Sequence, residues 1–144
     1  MSDAELRTLI EDRTVPVSAS GLLDAVRLQD IANAQLAVAV GEFDALGVSE
    51  VDCALKTPSW LRAKAKLDSK SAGRLTALGK RLHRFPALRE AALEWRLSGG
   101  QLAIVTACVP ERHFALFAEH EAVIVAELEK LGICLLYTSD AADE

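Results

Sequence analysis

Three histidines, three cysteines and 21 Asp plus Glu are the groups in this 144-residue chain that could hold a metal or move protons. His113 and His120 stand seven apart, which puts both on one face of a helix, and Glu119 and Glu121 flank the second. Two helical turns separate such rings by about 10 Å, too far for one ion to bridge, and His120-Glu121 lacks the second His of a His-Glu-x-x-His site. The pair is therefore expected to flank an apolar stripe. His83 falls outside the apolar stripe of a basic segment and is open to solvent or phosphate. Cys53, Cys108 and Cys134 are odd in number and far apart, so neither a disulfide framework nor a Cys-x-x-Cys site is available, and inert thiols are expected. No Ser/His/Asp or Cys/His arrangement can be assembled from the sequence, so nucleophilic catalysis has no positive support.

Phosphate chemistry is the next candidate. Leu97-Ser98-Gly99-Gly100-Gln101 spells the signature loop of ATP-binding-cassette ATPases, and Gly73 with Gly79-Lys80 has the ingredients of a phosphate loop. That loop needs four residues between its glycines and a Ser or Thr after the Lys; here five intervene and Arg81 follows. The stretch is also helical in pattern, so no nest of backbone N–H groups would form. Ser98 reads more simply as a helix cap.

Charge carries a stronger signal. The net charge of −5 conceals three segments: residues 1–55 have three basic and ten acidic side chains, residues 56–96 have eleven basic and three acidic, and residues 97–144 have two basic and eight acidic. Clustered Lys and Arg gain from counterion release on a phosphate backbone, so the central block, a net of +8, points to nucleic acid. The alternative is internal neutralisation, in which the block docks on its acidic neighbours.

The elements that must position these groups are helices. Apolar residues recur at helical spacing almost throughout and strand-like alternation is absent, so the expected class is all-α, a multi-helical bundle with a helix-turn-helix-like central section. A short helix near residues 3–13 ends before Pro16. A long helix from about Ser20 to Leu46 has Leu22, Val26, Leu36, Val40 and Phe43 on one stripe, with Leu28, Ile31 and Val38 beside it. Residues 47–57 read as a linker, and Pro58 suits a first helical turn carrying Trp60, Leu61 and Ala65. Asp68 is the expected N-cap of a helix from Ser69 to Arg84, with Leu75, Leu78, Leu82 and Phe85 on one face and Lys70, Arg74, Arg81 and Arg84 clustered away from it. Pro86 opens another helix with Leu88, Ala91, Ala92 and Trp95 inward. Ser98 caps one through Cys108, and Pro110 opens a last one to Leu131, with Gly132 as its stop. Half of the residues are hydrophobic (51%), enough for a core without disulfide or metal. No run reaches the ~18 residues of a membrane span, and the acidic start is unlike a signal peptide. No membrane partner and a cytoplasmic location are expected.

From Cys134 the chain reads Cys-Leu-Leu-Tyr-Thr-Ser-Asp-Ala-Ala-Asp-Glu, which resembles the translation of a transposase-based sequencing adapter. Residues 133–144 are accordingly expected to be a non-native tail, and Cys134 and Tyr137 to carry no chemistry. Residues 1–132 are expected to form a single all-α domain, the truncated N-terminal part of a longer protein.

Pro58-Ser59-Trp60-Leu61, Leu67-Asp68-Ser69-Lys70-Ser71-Ala72-Gly73-Arg74-Leu75, Phe85-Pro86 and Arg96-Leu97-Ser98-Gly99-Gly100-Gln101 occur in an order and spacing that resembles the domain of unknown function 222 family, also called the 13E12 repeat family. The resemblance covers roughly residues 20–131, including Phe117-Ala118-Glu119-His120-Glu121. It implies a helical region placed before a C-terminal HNH endonuclease domain. HNH chemistry needs a His and further His, Asn or Asp groups around a divalent metal, whereas the only Asn here is Asn33, so the visible chain is expected to lack catalysis and cofactors. Residues 59–109 are also similar to the helix-turn-helix region of chromosome-partition proteins, which implies that the helix from Ser69 is a recognition helix. Against that pattern, Lys66 occupies the turn position where glycine is usual, and Gly73 sits inside the helix. The expected DNA-contacting set is Arg62, Lys66, Ser69, Lys70, Arg74, Arg81 and Arg84, with Ser69, Lys70 and Arg74 nearest base edges and Arg81 and Arg84 on phosphates. The competing expectation is a protein-interaction scaffold that self-associates through the long helix near residues 20–46.

Overall fold

The computed structural model describes residues 2–131, which are all-α. Eight α-helices follow one another: α1 Asp3–Glu11, α2 Ala19–Ala45, α3 Val48–Cys53, α4 Thr57–Lys64, α5 Ser69–Arg84, α6 Pro86–Leu93, α7 Gly99–Cys108 and α8 Phe114–Lys130. A 3₁₀ turn, Glu111–His113, precedes α8. The expected stop at Gly132 and the expected tail at 133–144 lie outside the described residues.

The punctuation follows local chemistry. Ser2 and Glu5 form a capping box on α1, Ser18 caps α2, Asp68 caps α5, and Pro58 and Pro86 occupy the first turns of α4 and α6. Phe85 cannot cap α6, so a distant residue does: Glu121 of α8 accepts the Leu88 amide at 3.0 Å. That gives Glu121 a structural role. The 47–57 linker contains a helix, α3, held between two left-handed residues, Gly47 (φ +68°) and Ala54 (φ +54°).

The main core gathers Leu82 and Phe85 from the end of α5, Leu88, Ala91 and Ala92 from α6, Leu97 before α7, Leu102 and Val105 from α7, and Phe117 and Val125 from α8. Phe85 packs tilted by 52° against Phe117, with ring centroids 4.5 Å apart, and edge-on at 5.1 Å to Phe114. A smaller cluster joins Val40, Leu61 and Ala72, with Trp60, Leu67 and Leu75 against it.

The long helix enters the core by its small residues, and of the stripe read from sequence only Val40 is buried, with Phe43 partly so. Ala34, Ala37, Val40 and Gly41 are buried, whereas Leu22, Val26, Leu28 and Leu36 are each half exposed or more. The cause is the crossing with α5. A Cβ on Gly41 would stand 2.2 Å from the Gly79 carbonyl oxygen, and one on Gly79 would stand 2.8 Å from the Ala37 oxygen. The two backbones touch there, so large side chains are excluded from that contact. Gly79-Lys80 is thus a helix-crossing element.

Candidate nucleic-acid interface

The α4–turn–α5 unit is locked from behind. Thr57 donates its hydroxyl to Asp44 Oδ1 at 2.6 Å, which leaves Ser49 as the donor to Thr57 Oγ1 at 3.4 Å, and all three tie the start of α4 to α2 and α3. Trp60 packs on Phe43 with ring centroids 4.8 Å apart and donates its indole N–H to Asp52 at 2.7 Å. That bond, helped by the Cys53 thiol, holds the Asp52 carboxyl below the usual carboxylate range. In the connection that follows, Lys66 takes the left-handed conformation, φ +58°, and the Leu67 amide turns back to the Leu61 carbonyl at 3.4 Å. Asp68 accepts the Ser71 amide at 3.1 Å and starts α5, and hydrogen bonding from Ser71, its hydroxyl first and its amide second, lowers the Asp68 pKa.

The basic block divides in two. Four of its cations are committed internally. Lys80 pairs with Glu111 at 3.1 Å, Arg96 pairs with Glu94 at 2.9 Å and with Glu129, and Arg89 donates to the Leu82 carbonyl at 3.3 Å. Arg81 is the fourth and corrects the expected site. It is only 6% exposed, donates from Nε (3.1 Å) and Nη2 (2.8 Å) to the Val109 carbonyl and from Nη1 (2.7 Å) to the Ala77 carbonyl, and lies 5.2 Å over the Phe114 ring. Burial lowers its pKa, with Glu111 opposing. Arg81 therefore ties α5 to the end of α7 and does not face outward. Arg faces a backbone carbonyl here because the last carbonyls of α7 lack helical partners.

The other cations face solvent. Arg62, Lys66, Lys70, Arg74 and Arg84 are exposed, as is Ser69, and among the described residues none of these cations makes an ion pair. Arg62 and Ser69 line one concavity of about 490 Å³ with Asp68, while Lys70 and Arg74, one turn apart, share a face of α5. Arg84, ten residues beyond Arg74, is about 15 Å farther along and lies 5.7 Å over Phe85. Three exposed cations were missed. Lys56 immediately precedes α4, Lys64 ends α4 within the same basic run, and Arg112 lines a concavity of about 480 Å³ with Pro58, Gly73 and Lys80. Arg112 belongs to an acidic segment, so a count by segment could not reveal it.

The Leu97–Gln101 pentapeptide is a structural joint. Leu97 is core, Ser98 and Gln101 form a capping box, and Gly99 donates its amide to Asp30 Oδ2 at 3.0 Å, where a Cβ would stand 2.6 Å from Oδ1. The Gln101 amide also reaches the Leu128 and Leu131 carbonyls. Trp95, expected within a helix face, lies past the end of α6 at φ +54° and donates its indole N–H to the same Asp30 oxygen at 3.1 Å. His83, His113 and His120 are exposed, and among the described residues no group of three or more His, Cys, Asp or Glu is placed to hold a metal ion. Among them, too, no helix is long and apolar enough to cross a membrane. In comparisons with protein-family models, curated proteins and solved structures, nothing matches the chain.

Proposed function

We propose that this chain binds or positions DNA through the turn and first half of α5, as the helical region of an HNH-endonuclease-type protein whose catalysis resides in a separate domain. The observation that carries this reading is a set of unpaired cations, Arg62, Lys66, Lys70 and Arg74, gathered around the exposed N-terminal end of a capped helix. Ser69, Lys70 and Arg74 would stand nearest base edges, while Arg62 and Lys66, with Lys64, would hold phosphates. Neutralising about three phosphates predicts roughly a 40-fold loss of affinity between about 50 and 200 mM salt. Fluorescence anisotropy with a labelled duplex tests it. The double variant Lys70→Glu, Arg74→Glu, both at exposed sites, should abolish most binding with unchanged circular dichroism; unchanged affinity would refute the site.

A second reading, self-association through the long helix, is favoured by Leu22, Leu23 and Val26 on α2 and by Leu6, Leu9 and Ile10 on α1, all about half exposed or more. α1 buries no residue at all, and a nine-residue helix is marginal in water without a partner surface. Size-exclusion chromatography with and without duplex separates the readings: a dimer indifferent to DNA supports the scaffold.

A further inference from the structure

Between α2, α5 and α7 lies an open cleft of about 360 Å³, whose lining includes Asp30, Asn33, Leu67, Arg74, Leu78 and Leu102. It continues into a second cleft of about 400 Å³ along the α5–α7 seam, with Arg74, Leu78 and Gly99 common to both. The floor is apolar surface that the chain does not cover: Leu67, Leu75 and Leu78 are half-buried and Leu36 is 50% exposed. Pockets of this size with an apolar floor and few polar groups are the usual form of small-molecule sites.

The polar groups are uneven in a way that selects a ligand. Asp30 is already engaged by the Trp95 indole and the Gly99 amide at the N-terminal end of α7, where the helix dipole balances its charge. Arg74, by contrast, has no carboxylate or carbonyl partner among the described residues, and Asn33 makes no hydrogen bond there either. The cleft thus offers one unopposed guanidinium and one free amide beside leucine surface. We infer that it binds a small amphiphilic monoanion, a carboxylate on an aliphatic body. The carboxylate pairs with Arg74, whose planar fork suits it, and the chain lies on Leu67, Leu75 and Leu78. Each CH₂ brought onto that floor raises affinity by up to about fourfold.

This inference goes beyond the DNA reading and is tested without DNA. The ¹⁵N-labelled full chain is titrated with octanoate, octylamine and octanol, following the amides of Ser71, Leu75, Gly99 and Leu102. Octanoate is expected to shift these amides and to bind at least about tenfold more tightly than octylamine. Hexanoate should bind more weakly than octanoate, by up to about 15-fold. Arg74→Gln should lose about tenfold for octanoate and little for octanol, while Arg74→Lys keeps most of the affinity. Equal binding of octanoate and octylamine, no loss in Arg74→Gln, or shifts confined to another face would each overturn the proposal.

Discussion

Replacing Arg81 by Met separates a structural cation from a ligand-facing one. The guanidinium supplies both side-chain donors to the Val109 carbonyl, whereas the Ala77 carbonyl keeps its helical partner when the side chain is lost. Hydrogen bonds from a charged group contribute about 1.5–3 kcal/mol, and an acceptor left without a partner costs about 1–3 kcal/mol. Met preserves much of the packing on Phe114 and removes the cost of burying a charge, which returns part of the loss. A net destabilisation of about 3 kcal/mol is expected. For roughly 130 ordered residues the unfolding entropy is about 0.27 kcal/mol/K, so Tm should fall by roughly 11 °C. Thermal unfolding followed by far-ultraviolet circular dichroism measures it, with Arg84→Met as the control. Arg84 is exposed and only lies over a ring, so its variant should shift Tm by less than about 2 °C. Well below its Tm, Arg81→Met should bind duplex like the parent. Equal small shifts in the two variants would refute the bracket, and loss of DNA binding in a folded Arg81→Met would return Arg81 to the interface.

The glycines of α5 should respond in opposite directions. Gly73→Ala meets nothing within 4 Å and should stabilise the chain by about 0.5–1 kcal/mol in urea unfolding, whereas Gly79→Ala meets the α2 backbone and should destabilise it by about 3 kcal/mol or more. Gln101→Met removes the bonds to Ser98, Leu128 and Leu131 and should cost about 2–3 kcal/mol in the same assay. Acid should release Trp60 late. Because Asp52 is held below the usual carboxylate range, its folded-state preference is fully present above the unfolded value and fades only as pH falls through the lower folded one. In a Trp95→Phe background, Trp60 fluorescence should therefore stay constant down to about pH 4 and change below it; a transition near pH 5 or 6 would contradict the assignment.

Local chemistry was enough to place most helices. Asp68, Ser98, Pro58 and Pro86 act within a turn of the backbone they cap or start, so α4 to α7 could be placed within a few residues of where they lie. The 3.6-residue periodicity likewise put Leu82, Phe85, Leu88, Ala91 and Ala92 inside, because a helix with one apolar side has one way to face a core. Exposure of Lys70 and Arg74 was legible for the same reason. Tertiary structure decided the rest. Which side of α2 is buried depends on where Gly41 meets Gly79, a contact between residues 38 apart that no local window contains. Arg81 read as one more cation on a basic face, yet it lies where α7 ends with unpartnered carbonyls, and buried polar groups find one another only once the helices are assembled. Lys80 and Arg96 are paired at the surface by Glu111 and Glu129 from beyond the block. Residue type and spacing determine helices and their faces through short-range forces, whereas pairing across the bundle is a property of the three-dimensional arrangement, and it selected which cations remain free.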